Sequence, residues 1–126
     1  DPRYAAFVQA YGKAGCRANK KEQVWLARLF WFTVEFGLLR ENGEVKAFGA
    51  GIVSSHKELP YSVTADDVER RTFDEIDILR TPYRIDILQP TYFILDNLDQ
   101  MTLLSKKNLL QLVSTASSMG LKPKFF

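Results

Sequence analysis

Residues 24–39 read VWLARLFWFTVEFGLL, and the fold turns on this stretch. Apolar side chains fill nearly every position over about four helical turns, which predicts a helix at the centre of the core. Two charges interrupt it, Arg28 and Glu35. An ionised carboxylate among apolar neighbours costs on the order of several kcal/mol unless it is paired, hydrogen-bonded, protonated or metal-bound. Arg28 lies seven positions earlier, about 10 Å along the axis at roughly 1.5 Å per residue, too far for an easy ion pair. Trp31, Phe32, Leu38 and Leu39 fill the positions three and four away. The partner of Glu35 is therefore expected outside this helix, as a distant basic residue, a buried water or a cation.

Working outward, residues 4–11 place Tyr4, Phe7, Val8 and Tyr11 on one apolar face, which predicts a short helix that Gly12 and Gly15 break. Asn19 and Glu22 have the spacing of a capping box in front of the central helix. Gly37 and the ENGE turn at residues 41–44 mark its exit, and residues 45–48 suit a short strand. The GAG at residues 49–51 allows a sharp turn or a close approach of backbone. Ser55 with Glu58, and Thr72 with Glu75, have the spacing of two further capping boxes, the second leading Phe73, Ile76 and Leu79 onto one helical face. Thr81-Pro82 stops that helix. Residues 84–88 and 91–95 read as extended, with Pro90 arguing for an edge strand or a bulge. From Asp99 a helix carries Leu109, Leu112, Val113 and Ala116 to an end near Gly120, and KPKFF is expected to fray. The sum is a predominantly helical α+β unit.

With 126 residues, 46% of them hydrophobic, the chain can bury a core and is expected to be one domain or part of one. No apolar run reaches the roughly 18 residues of a membrane span, and the N-terminus, DPRYAAF, does not read as a signal peptide. A lone cysteine, Cys16, cannot form an internal disulfide, which agrees with a cytoplasmic setting. The net charge is only +2, and the pairs Lys20-Lys21, Arg70-Arg71 and Lys106-Lys107 are scattered. That pattern argues against nucleic acid as a partner.

Few arrangements of chemistry survive inspection. An iron site of two histidines and one carboxylate needs two imidazoles, and the chain has one histidine, His56. GAGIVSS lacks the lysine and the spacing of a P-loop, and no GxSxG elbow surrounds Ser54 or Ser55. Hydrolase chemistry is not indicated.

Four segments together resemble one family: DPRYAAFVQAYGKAG, LARLFWFTVEFGLL, KAFGAGIVSSHKEL and TPYRIDILQPTYFILDNLDQ. They are similar to the catalytic domain of the pterin-dependent aromatic amino acid hydroxylases, most of all the bacterial type of phenylalanine 4-hydroxylase. The resemblance implies para-hydroxylation of L-phenylalanine to L-tyrosine with O2, non-haem Fe(II) and tetrahydrobiopterin. It puts the carboxylate ligand of the iron at Glu35. It also implies that Trp31, Gly51 and Ser54 border the substrate, Ser54 by bonding a ligating histidine, and that Ala27 and Phe30 lie on the pterin side. Phe30 stands where many members have a tyrosine. Family members carry their two iron-binding histidines in a segment just before the stretch that begins here with Asp1. Residues 1–126 are thus expected to be the C-terminal part of one catalytic domain, unable alone to hold iron tightly or turn over substrate, and a monomer or dimer. The competing expectations are a tyrosine or tryptophan hydroxylase of the same family, or a non-catalytic helical interaction domain in which Glu35 sits in a salt bridge.

Overall fold

In the computed structural model, which describes residues 1–124, helix α1 (Pro2–Arg17) runs through Gly12 and Gly15 instead of breaking there. A helical glycine costs about 1 kcal/mol relative to alanine. The Asp1 side chain caps the first turn through the Arg3 N–H, and Phe7 is wholly buried, so capping and packing outweigh two weak positions.

Helix α2 (Lys20–Phe30) opens on the expected capping box: Asn19 Oδ1 accepts from the Glu22 N–H at 2.8 Å and Glu22 returns the bond at 2.9 Å. The central helix is shorter than its apolar run suggests. After Phe30 the chain widens into a π-helical turn (Trp31–Glu35), with the Phe36 N–H donating to the Trp31 carbonyl. Leu38 and Leu39 then leave the helix and enter strand β1 (Leu38–Glu41).

Strand β2 (Glu44–Ala47) returns antiparallel to β1 across Asn42-Gly43, both at positive φ, the pair a tight hairpin favours. A short helix α3 (Ala50–Val53) follows, then α4 (Glu58–Thr64). Only half of the second capping box forms. Ser55 Oγ accepts from the Glu58 N–H, while the Glu58 carboxylate points elsewhere.

The polar run at 66–71 contributes β3 (Glu69–Thr72), a strand that its charges conceal. Helix α5 (Glu75–Arg80) is capped by Asp74 rather than by Thr72, because Asp74 Oδ1 takes the Asp77 N–H. It stops at Thr81 as expected. Residues 84–88 form bends and no strand. Strand β4 (Thr91–Leu95) is neither an edge nor bulged, for the sheet order is β2-β1-β4-β3 with β4 parallel to both neighbours. Pro90 sits one residue before the strand, where its missing N–H breaks no ladder bond and its carbonyl accepts from the Glu69 N–H.

The last helical region is two helices, α6 (Asp99–Ser105) and α7 (Leu109–Met119), the second capped by Asn108 and ended by Gly120 at φ 82°. The tail is not wholly frayed. The Lys122 N–H bonds the Arg80 carbonyl at 2.8 Å, while Phe125 and Phe126 lie outside the described residues.

Strand β4 is buried along its whole length and divides the interior. Phe93 and Leu95 face the large core formed with Phe7, Leu26, Leu29, Phe32, Leu79 and Val113. Tyr92 and Ile94 face a smaller cluster with Leu38 and Ile52. The π-helical turn joins the two at the sheet. No helix among the described residues is long and apolar enough to cross a membrane.

Candidate functional site

Glu35 closes the π-helical turn and is half-buried, more open than its apolar neighbours in sequence suggest. Arg28 does not pair with it. The guanidinium donates to the Leu79 carbonyl at 3.3 Å and lies over the Trp25 ring at 4.6 Å. Among the described residues no hydrogen bond or ion pair reaches the Glu35 carboxylate. Its negative charge is felt by Tyr4, whose hydroxyl donates to the Val34 carbonyl at 3.4 Å. Burial first, and the Glu35 charge second, push the Tyr4 hydroxyl above its ordinary pKa.

The glycines hold this acid in place from behind. A Cβ on Gly49 would lie 2.5 Å from the Glu35 carbonyl oxygen, and one on Gly51 would lie 2.9 Å from the same oxygen and from the Phe36 ring. Real Cβ contacts do not reach such distances against backbone, so positions 49 and 51 can pass here only as glycines. The close approach expected of GAG is thus an approach to Glu35 itself.

Trp31 lies at the other end of the π-helical turn. Tyr83 stacks on it at 4.4 Å with an interplanar angle of 15°, and Phe36 is tilted against it at 4.5 Å. The fold therefore brings Glu35, Gly51, Phe36 and Trp31 into one contiguous group. Ser54 ends α3 at an exposed position. Ala27 and Phe30 are half-buried on α2, with the Phe30 ring 5.0 Å from Tyr11. His56 is exposed, and so is Cys16.

Sequence reasoning missed a second acid. Glu58, assigned there to a cap, is 5% exposed, and its carboxylate accepts from the Tyr92 hydroxyl and from the Gln89 N–H. Gln89 in turn accepts from the Trp31 indole N–H at 3.1 Å. The network is hard to read in the sequence, because its members come from three separate segments, at 31, 58 and 89–92.

As a metal donor set, the described residues bring one carboxylate. They contain no group of three or more His, Cys, Asp and Glu that could hold an ion. A half-buried carboxylate that forms no ion pair among the described residues is nonetheless the donor type that ferrous iron accepts beside imidazoles, so the chemistry of Glu35 fits that of one such ligand.

A profile of the biopterin-dependent aromatic amino acid hydroxylases matches residues 1–116. The chain belongs to this family. It is 47% identical over 125 residues to the phenylalanine-4-hydroxylase of Vibrio cholerae, covering 99% of this chain and 43% of that protein. To the phenylalanine-4-hydroxylase of Pseudomonas aeruginosa it is 43% identical over 126 residues, covering 100% and 48%. Among solved structures, the apo cold-active phenylalanine hydroxylase from Colwellia psychrerythraea superposes with a TM-score of 0.93 at 42% identity, covering 97% of this chain and 48% of that one. The family fold, mixed helix and sheet, is thus the fold observed here. The chain spans about half the length of the relatives it matches.

Proposed function

We propose that these residues are part of a phenylalanine 4-monooxygenase, which converts L-phenylalanine to L-tyrosine with O2, non-haem Fe(II) and tetrahydrobiopterin. Family membership and the names of the relatives it matches support this reading, and one observation carries it: Glu35, whose backbone packs closely against Gly49 and Gly51, has a carboxylate with no protein partner among the described residues. A carboxylate that spends neither oxygen on an internal donor keeps both for an incoming ligand. Glu35 is proposed as the carboxylate ligand of the iron, with two imidazoles from residues outside these 126. Residues 1–126 would thus be one portion of a single catalytic domain.

When bound, the iron and the reduced pterin supply the electrons that activate dioxygen. The chain's own residues position the reactants. The part of the Trp31 indole that Tyr83 and Phe36 leave uncovered offers an apolar, quadrupolar surface to the substrate's phenyl ring. Gly51 lets the backbone pass close to the Glu35 carbonyl and the Phe36 ring, the edge of the proposed substrate surface. Exposed Ser54 has its hydroxyl available to orient a ligating imidazole, the role that outer partners of metal-bound histidines play. Ala27 and Phe30 are proposed to border the pterin, with Phe30 contributing apolar surface and no hydroxyl.

The test is a product assay on the full-length enzyme that contains this chain, supplied with phenylalanine, O2, ferrous iron and tetrahydrobiopterin. Tyrosine should appear in proportion to phenylalanine consumed. Hydroxylation of tyrosine or tryptophan in preference to phenylalanine would overturn the assignment.

A further inference from the structure

Trp31 is held by three contacts of different character. Two are ring contacts, the stack on Tyr83 and the tilted Phe36, and such contacts leave a ring free to slide or turn in its own plane at small energetic cost. The third is directional. The indole Nε1–H, which can only donate, meets Gln89 Oε1 at 3.1 Å.

Gln89 is itself bonded on every side. It is 1% exposed, and its amide nitrogen donates to the carbonyls of Arg84 at 2.9 Å and Ile87 at 3.2 Å. Its backbone N–H donates to the Glu58 carboxylate at 3.2 Å, and the other Glu58 oxygen takes the hydroxyl of fully buried Tyr92. With two carbonyls fixing the amide nitrogen, the amide oxygen can point only at the indole. Residues 84–88 are irregular because their backbone wraps this side chain instead of pairing in the sheet.

We infer that Gln89 is a positioning residue: it sets the in-plane orientation of the Trp31 indole and so the shape of the surface that receives the substrate's aromatic ring. The inference rests on the proposed role of Trp31 as a substrate contact. Glu58 and Tyr92 act one step further back, by fixing the backbone from which Gln89 projects. Neither touches Trp31.

In the full-length enzyme, Gln89→Leu removes the acceptor at similar volume. The Trp31 indole ¹H–¹⁵N signal, assigned through Trp31→Phe, should move and its hydrogen exchange should quicken. The KM for phenylalanine should rise about tenfold, the factor that one hydrogen bond of ordinary strength carries, with kcat little changed and iron content unaltered. Trp31→Phe, which lacks the donor, should raise KM by itself, and adding Gln89→Leu to it should raise KM no further. An indole signal that stays in place in Gln89→Leu overturns the inference while leaving the proposed function intact. An indole signal that moves with KM unchanged instead overturns the role of Trp31 as a substrate contact. Should Gln89→Leu fail to fold, the unsubstituted enzyme decides: a Trp31 indole proton exchanging far more slowly than a free indole supports the bond, and exchange at the free rate refutes it.

Discussion

Two carboxylates, Glu35 at the end of the π-helical turn and Glu58 in α4, have exchanged the environments their neighbours in sequence suggest. Glu35, embedded in WFTVEFGLL, is half-open and without a partner among the described residues. Glu58, in the polar SSHKELPYS, is the deeply buried acid, and both its oxygens are used. The difference separates two jobs. A carboxylate whose oxygens are saturated by internal donors stabilises the fold and can bind nothing else, whereas one held by its backbone and left unsaturated is available to an incoming ligand.

The strongest way to break this contrast is Glu35→Ala in the full-length enzyme. Iron content by atomic emission should fall to background and tyrosine formation should cease, while the folding free energy changes by less than about 1 kcal/mol, since no internal bond is lost. Normal iron occupancy in that variant would remove Glu35 from the metal.

Glu58→Ala should behave oppositely. It strands the Gln89 N–H and the Tyr92 hydroxyl in the interior, and at about 1–3 kcal/mol for each orphaned group the loss should be several kcal/mol in urea unfolding. The fraction that remains folded should still take up iron. Gly49→Ala tests the backbone support of Glu35, because the added Cβ meets that residue's carbonyl. A cost of about 1–3 kcal/mol is expected, accompanied by weaker iron binding, a pairing of effects that Glu58→Ala should not show.

The smallest effect is at high pH. Tyr92 is held protonated well above its ordinary value, chiefly by burial and next by the Glu58 carboxylate beside it. The folded state keeps this proton more tightly than the unfolded one, so stability is full below the ordinary tyrosine value of 10.0 and falls as pH rises beyond it. Tyr92→Phe should lose about 1 kcal/mol at neutral pH and flatten part of the decline above pH 10, measured by urea midpoints across the range. Tyr4, Tyr11 and Tyr61, also shifted upward, should carry the rest of the slope.

The legible parts of this molecule are the local ones. The Asn19–Glu22 capping box, the Asn42-Gly43 turn, the stop at Thr81 and the end at Gly120 each depend on a few adjacent residues, and each is where the sequence places it. Glu35 stood out because its neighbours along one helix are apolar. Features that depend on distant partners were hidden. Strand β3 is a run of charges that becomes a strand by pairing with β4, and α1 survives two glycines because Phe7 packs into the core. The buried role of Glu58 requires Tyr92 and Gln89, which lie more than thirty positions away and carry no mark of their destination. Pro90 misled for a related reason. Its prohibition applies inside a ladder, and the ladder begins one residue later.

The widened turn from Trp31 to Glu35 has a bearing on how this chain can vary. An α-helix advances about 100° per residue, and the i to i−5 bond at Phe36 absorbs one residue beyond the regular screw. Deleting a single residue there would let the helix close normally, with its hydrophobic content almost unaltered, yet would swing the acid through more than a quarter of a revolution away from the indole. Length, more than composition, is what this segment has to conserve.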